Sequence, residues 1–213
     1  MKLLVTRPQH DITTHYISSW AQEVIDLANK KSVDVIDLCK EKANKKELIG
    51  RIKKVLPSII FLNGHGTDSA IKGHDNEILI EVGSNGEVLS GSITYALSCS
   101  SAKVLGSKVA RQKNTAFIGY SDEFIFAIDN NFVSRPEEDP RAKLFKESSN
   151  QIVASLLKGR TAEEAVERSK KTFIEHHASL VASTTDQDSL ITAQCLWWNM
   201  KHQVCLGDES LKG

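Results

Sequence analysis

Two short stretches hold the residue types that do covalent chemistry. Residues 61–66 read FLNGHG, and residues 95–102 read YALSCSSA. Each is an apolar run that stops at one reactive side chain, His65 in the first and Cys99 in the second. The residues beside them are too small to cover them. A thiol attacks only as a thiolate, so it needs a base or an electropositive setting. A histidine within reach supplies the base. A helix beginning shortly after Cys99 would add the partial positive charge of its N-terminus and lower the thiol's pKa. Gly64 and Gly66 let the backbone pass close to a substrate carbonyl. The N–H groups of Gly66 and Cys99 are then the expected oxyanion donors, and one such donor is worth roughly 3 kcal/mol. The chemistry is acyl transfer: attack on an amide carbonyl, a thioester intermediate, and hydrolysis by water. A lone cysteine is usually a small buried hydrophobe, and a Gly-flanked histidine often only makes a turn. Their pairing at two successive strand ends is what points to a site.

The elements needed to position such a pair can be read along the chain. Strand-like runs occupy residues 2–6, 33–38, 58–63, 93–98 and 115–121, with a last one at 202–206, and the segment EFIFAI extends the run at 115–121. Ile17, Trp20, Val24 and Leu27 recur at helical spacing. Further helices are expected over 45–56 (closed by Pro57), 102–112, 141–158, from Thr161, and 187–201. Gly159 serves as a C-cap, and Thr161 with Glu164 forms a capping box. The glycine-rich stretch 64–91 reads as loop plus a hairpin or edge strand, with a turn at Ser84-Asn85-Gly86. Strands separated by helices pair in parallel, because each crossover returns the chain to the same edge. The fold class is therefore α/β: a three-layer α/β/α sandwich with a mostly parallel central sheet, in one domain over 1–213. Ligands and catalytic groups collect beyond the carboxyl ends of such strands. That is where His65 and Cys99 fall.

Composition narrows the function. The chain has 213 residues, with 27 Lys+Arg against 27 Asp+Glu. Nucleic-acid binding normally leaves a clear basic excess, so no nucleic-acid partner is expected. The basic run at 40–54 alternates with apolar residues at helical spacing and reads as a solvated helix face. No apolar stretch approaches the ~20 residues that span a bilayer, and the start of the chain lacks a long apolar leader core. A cytoplasmic protein with no membrane partner is expected. The four cysteines show no paired spacing and read as free thiols. Cys39, Cys195 and Cys205 are assigned structural places, and no cofactor is expected. His176 and His177 are adjacent on a helix with no ligand partner at i+4, so no metal is expected either.

The residues around the two reactive side chains carry a resemblance. A β-run ending in His-Gly, followed by one ending in a small residue and Cys, resembles the caspase-like cysteine peptidases, the group that includes the CHAT and gingipain-like members. Residues 104–126, VLGSKVARQKNTAFIGYSDEFIF, are similar to the helix and strand after the cysteine in those proteins, and the ending WWNMKHQVCLGDES is similar to their terminal strand. The resemblance implies a caspase-like fold and a cysteine endopeptidase acting on a protein or peptide substrate. It makes His65 the catalytic histidine, Cys99 the nucleophile and Gly66 an oxyanion donor. The sequence reads Leu-Ser-Cys-Ser-Ser around Cys99 and lacks the Gln-Ala-Cys signature of animal caspases, so cleavage after Asp is not implied. In several relatives an acidic residue selects Arg or Lys at P1. Asp122 and Asp68 are the candidates for that role here; either could equally be an exposed loop carboxylate, which is the reading preferred for Asp68. The polar loop 129–141 reads as a connector, with Arg135 as its one plausible processing point.

Two other functions stay open. One is a caspase-like regulatory or binding module that is silent or requires an activating protein partner. The other is a flavodoxin-like ligand-binding domain, which the absence of GxGxxG and GxxxxGK[ST] motifs disfavours.

Overall fold

The structure is a computed structural model that describes residues 1–183 and 186–213. The run KLLVTR forms β1 (Lys2–Arg7), and Asp11 then caps α1 (Ile12–Lys30). The chain continues through β2 (Asp34–Cys39), α2 (Lys45–Val55) and β3 (Ile59–Asn63). A hairpin of β4 (Ala70–Lys72) and β5 (Ile78–Glu81) follows, then β6 (Ile93–Leu97). After it come a π-helical turn, Ala102–Gly106, a single turn α3 (Ser107–Val109) and β7 (Ala116–Tyr120). The chain closes with α4 (Pro140–Leu156), α5 (Ala162–Ser183), α6 (Gln187–His202) and β8 (Gln203–Gly207).

Six strands form the main sheet in the order β2-β1-β3-β6-β7-β8. All its pairs are parallel except β7 with β8 at the edge. The mostly parallel three-layer arrangement expected from the sequence is what forms. Alternate side chains leave opposite faces of a strand, and the two cores follow that rule. Leu3, Val5, Phe61 and Tyr95 pack under α1, α4 and α5 with Trp20, Phe145 and Phe173. Leu4, Ile60, Leu62 and Ala96 pack on the other face with Leu48 and Ile52 of α2 and Leu79 of the hairpin.

Register is pinned where it matters. Phe61 stacks on Tyr95, its partner across β3 and β6, at 5.1 Å between ring centroids. The Tyr95 and Tyr120 hydroxyls lie 3.2 Å apart, and Gln203 Nε2 donates to the Tyr120 hydroxyl. Near the upper end of β1 the Thr6 hydroxyl accepts from the Asn63 N–H at 2.9 Å, while Asn63 Nδ2 donates to the Thr6 carbonyl at 2.8 Å. Because a one-residue slip would turn every side chain to the wrong face, these pairs fix which residues emerge at the rim.

Two expectations are corrected. The helix expected over 102–112 shrinks to the π turn and α3. The Asp68 carbonyl captures the N–H groups of Val104 and Leu105, at 3.1 and 2.9 Å, and diverts them from the helical ladder. Gly106 N–H then bonds back to Ser101, five residues away. The segment EFIFAI does not extend β7. Phe124 and Phe126 turn into the aromatic cluster of Tyr16, Trp20 and Phe145. The buried Asn199 serves both backbone groups of Ile125, as a neighbouring strand would.

Among the described residues, no helix is long and apolar enough to cross a membrane.

Candidate active site

The order of the sheet reverses between β1 and β3. β1 is followed by β2 on one side, and the chain then returns to lay β3 on the other. Ligands gather in the crevice beyond such a switch point. Asp11, His65, Cys99 and Asp122 each follow the carboxyl end of one strand, in the order β1, β3, β6, β7. The ladder pairs Asn63 with Leu97. His65 and Cys99 each lie two residues past that last pair, on the ends of neighbouring strands.

The approach of the two strand ends depends on glycine. A Cβ on Gly66 would overlap the Cys99 carbonyl oxygen and stand 3.0 Å from the Cys99 nitrogen. A Cβ on Gly64, whose φ is +151°, would overlap the Lys72 carbonyl. Thr67 N–H bonds to Ala70 at 2.9 Å and Lys72 N–H to His65 at 2.8 Å. These bonds flank the Gly66–Ile71 bridge and leave the Gly66 N–H outside the hairpin's own ladder.

Asp11 is the residue of this rim that the sequence does not announce. It looks only like a helix N-cap, and it is one: Oδ1 accepts from the Thr14 N–H at 2.7 Å, and the Thr14 hydroxyl accepts from the Asp11 N–H at 3.1 Å. Its second oxygen, Oδ2, lies 2.6 Å from His65 Nε2. Partial burial would raise the Asp11 pKa, but the bonds from Thr14 and His65 outweigh it and hold it down at about 2. An ionised carboxylate can only accept, so Nε2 carries a proton directed at Asp11, and the half-exposed ring is held in one orientation. When the ring is neutral, Nδ1 is the nitrogen with the lone pair. The clue in the sequence would have been an acidic residue directly after the first strand, but only the strand order makes β1 the neighbour of β3.

Cys99 is prepared differently. It is half-buried, and its Sγ leans toward the Phe124 carbonyl at 3.7 Å. Among the described residues no hydrogen bond joins it to His65. Burial pushes the thiol up, the Phe124 contact and the residue's own N–H pull it down, and the Glu123 and Asp122 carboxylates push it up again. The net shift is upward from 9.0. The thiolate expected from a following helix is therefore not supported, because that helix is a π turn and one α turn.

The other residues named from the sequence fall as follows. Asp122 gives its carbonyl to the Ser100 N–H at 2.8 Å and its carboxylate to the Glu123 N–H at 2.9 Å. Asp68 is an exposed loop carboxylate, 3.5 Å from Lys103 Nζ. Arg135 pairs with Glu138 at 2.7 Å on the exposed 129–141 connector. His176 faces Glu147 at 3.1 Å and His177 bonds to the Ala193 carbonyl, so both serve helix packing. All four cysteines are free, and burial above all raises Cys205 to about 12. A neighbouring group was not foreseen. His10 lies edge-on to both His65 and His74, at 5.9 and 5.4 Å between centroids, directly beside Asp11.

No known family model matches the chain, and no curated protein matches it in sequence. Among solved structures it is similar to the Arg-specific cysteine proteinase gingipain R, with a TM-score of 0.63 and 11% identity. The match covers 99% of this chain and 46% of that one, so the chain spans under half of the gingipain chain's length. The likeness is one of fold, the caspase-like fold of a cysteine proteinase.

Proposed function

We propose that the protein is a cysteine endopeptidase in which Cys99 attacks and His65 is the base. The observation that carries this is the Asp11–His65 bond at 2.6 Å past the end of β3, the neighbour of the strand that leads to Cys99; in the neutral ring it leaves Nδ1 as a proton acceptor. Substrate binding would draw Sγ away from the Phe124 carbonyl. His65 Nδ1 takes the thiol proton as sulfur attacks the peptide carbonyl. The tetrahedral oxyanion meets the N–H groups of Gly66 and Cys99. Its collapse breaks the C–N bond, and His65 returns the proton to the leaving amine. Water, deprotonated by His65, then hydrolyses the thioester and restores the thiol. Asp11 keeps the imidazole aligned through both steps.

A basic P1 residue is part of the proposal. Asp122 and Glu123 put two carboxylates near the thiol, close enough to raise its pKa, and a cationic side chain would neutralise them. So is the assignment of residues 1–213 to one peptidase domain of the CHAT type, in a cytoplasmic protein. Hydrolysis rates with a mixed fluorogenic peptide library test the reading. Wild type should cleave after Arg or Lys, and Cys99→Ala should not cleave at all. Equal rates for the two proteins would refute it.

A second reading, a module ordered only by a protein partner, draws on the raised thiol pKa and its contact with Phe124 instead of His65. A wild type inert to the library but labelled at Cys99 by a peptide electrophile once a partner is added would favour it.

A further inference from the structure

His10 is the most poorly satisfied side chain near the rim. Only 10% of it is exposed, and both of its ring nitrogens are buried without a hydrogen-bond partner. A neutral imidazole carries one donor and one acceptor, so leaving both unmet out of water is costly. The ring does not face an apolar wall. Its Nε2 stands 3.6 Å from Asp11 Oδ2, and that oxygen is 2.6 Å from His65 Nε2. One ligand atom from each of the three residues lies within 4.8 Å of the others. In a tetrahedral zinc site, donors about 2.0–2.2 Å from the ion stand roughly 3.3 Å from each other. The two short separations straddle that figure, and a modest contraction brings in the third.

The geometry points to a binding site for a zinc-class divalent cation, held by His10 Nε2, Asp11 Oδ2 and His65 Nε2, with a fourth position open. Two imidazoles and one carboxylate are a borderline-soft donor set that suits zinc and cobalt and does not suit calcium or magnesium. An overlapping set, His10, His74 and Asp75, also brings its ligand atoms within 4.8 Å. Its chemistry is worse. His74 Nδ1 accepts the Gln9 backbone N–H at 3.1 Å, so a cation on Nε2 would drive the ring proton onto Nδ1 against that N–H, whereas His65 Nδ1 faces no such donor among the described residues. Asp75 is 81% exposed.

The consequence for the proposed peptidase is direct, and this part rests on that reading. A cation on His65 Nε2 displaces the proton there and takes over the Asp11 oxygen. The neutral ring must then carry its proton on Nδ1, the nitrogen meant to receive one from Cys99. Binding switches the base off without touching the thiol.

The test uses the protein over residues 1–213, stripped with chelator and titrated with Co²⁺ under reducing conditions, followed by visible absorption and by competition with Zn²⁺. One equivalent should bind with the spectrum of a four-coordinate ion. His10→Gln should weaken binding at least about tenfold, as loss of a ligand or its support typically does. Asp11→Asn should weaken it too while retaining the helix cap, since Asn caps as well as Asp. Asp75→Asn and Cys99→Ser should bind as wild type does. Absence of saturable binding, or a loss in Asp75→Asn or Cys99→Ser equal to that in His10→Gln, would overturn the site. These readings need no turnover. A protein that binds cobalt but cleaves nothing refutes the peptidase and leaves the cation site standing. An active peptidase that binds no cobalt does the reverse. If both hold, Zn²⁺ should inhibit wild type reversibly and spare His10→Gln.

Discussion

The two halves of the candidate site are built to different standards. On the histidine side every part is fixed before any substrate arrives. Asp11 sets the tautomer, the hairpin grips the His65 carbonyl, and Gly64 and Gly66 fit against backbone with no room to spare. On the cysteine side the thiol is held neutral and leans on the carbonyl of Phe124, within the irregular segment 121–128, where Asn199 bonds both backbone groups of Ile125. Under the proposed function, the difference teaches that the base is preorganised and the nucleophile is not, so activation would come from proton transfer in the complex and not from a standing thiolate.

Four measurements would break or sharpen that contrast. The largest effect belongs to Asp11→Asn. It should lower kcat by about 10²–10⁴, as loss of the tautomer-setting carboxylate does in comparable triads, with little change in melting temperature. An unaltered kcat would show that the histidine side is not preorganised by this residue. Next comes Gly66→Ala, whose new methyl must push the two strand ends apart. A displacement near 1 Å costs on the order of 10²-fold in rate, and kcat should fall further than KM rises. Asn199→Ala tests the cysteine side. It leaves the Ile125 N–H and carbonyl unserved, which should cost about 1–3 kcal/mol in denaturant unfolding and speed proteolytic nicking within 121–128. Resistance equal to wild type would mean that the Phe124 and Phe126 packing and the bonds with Trp198, Ser100 and His202 hold that segment without Asn199. The smallest effect is in pH. Alkylation of Cys99 by iodoacetamide, corrected with Cys99→Ala, should rise with an apparent midpoint above 9.0. The sign follows from burial favouring the neutral thiol: the unfolded chain ionises at 9.0, the folded one later, so stability also declines once the pH passes 9.0. A midpoint near neutrality would reveal a thiolate–imidazolium pair and erase the contrast.

The sequence disclosed the sheet better than the rim. Runs such as SIIFLN and ITYALS are rich in apolar residues on both faces because both faces of these strands are covered, and they form β3 and β6 where expected. The ends of those runs marked His65 and Cys99 for the same reason. What stayed hidden depends on contacts distant in the chain. Asp11 meets His65 across 54 positions, and its local pattern is fully explained by capping. His10, a single residue earlier, carried no spacing that suggests a ligand. The helix after Cys99 was misjudged because the periodicity of Ala102–Gly106 is sound, whereas the Asp68 carbonyl that interrupts it lies more than thirty residues upstream. EFIFAI was read as a continuation of the strand, but a side chain of α6 took the place of the neighbouring strand.

The Asp11 carboxylate spends one oxygen on the opening of α1 and the other on an imidazole. Fraying of that first turn and misalignment of the ring are therefore a single event. The Thr14 amide becomes a reporter for chemical readiness: on warming, its protection from hydrogen exchange should fade together with turnover, below the temperature at which the sheet itself melts.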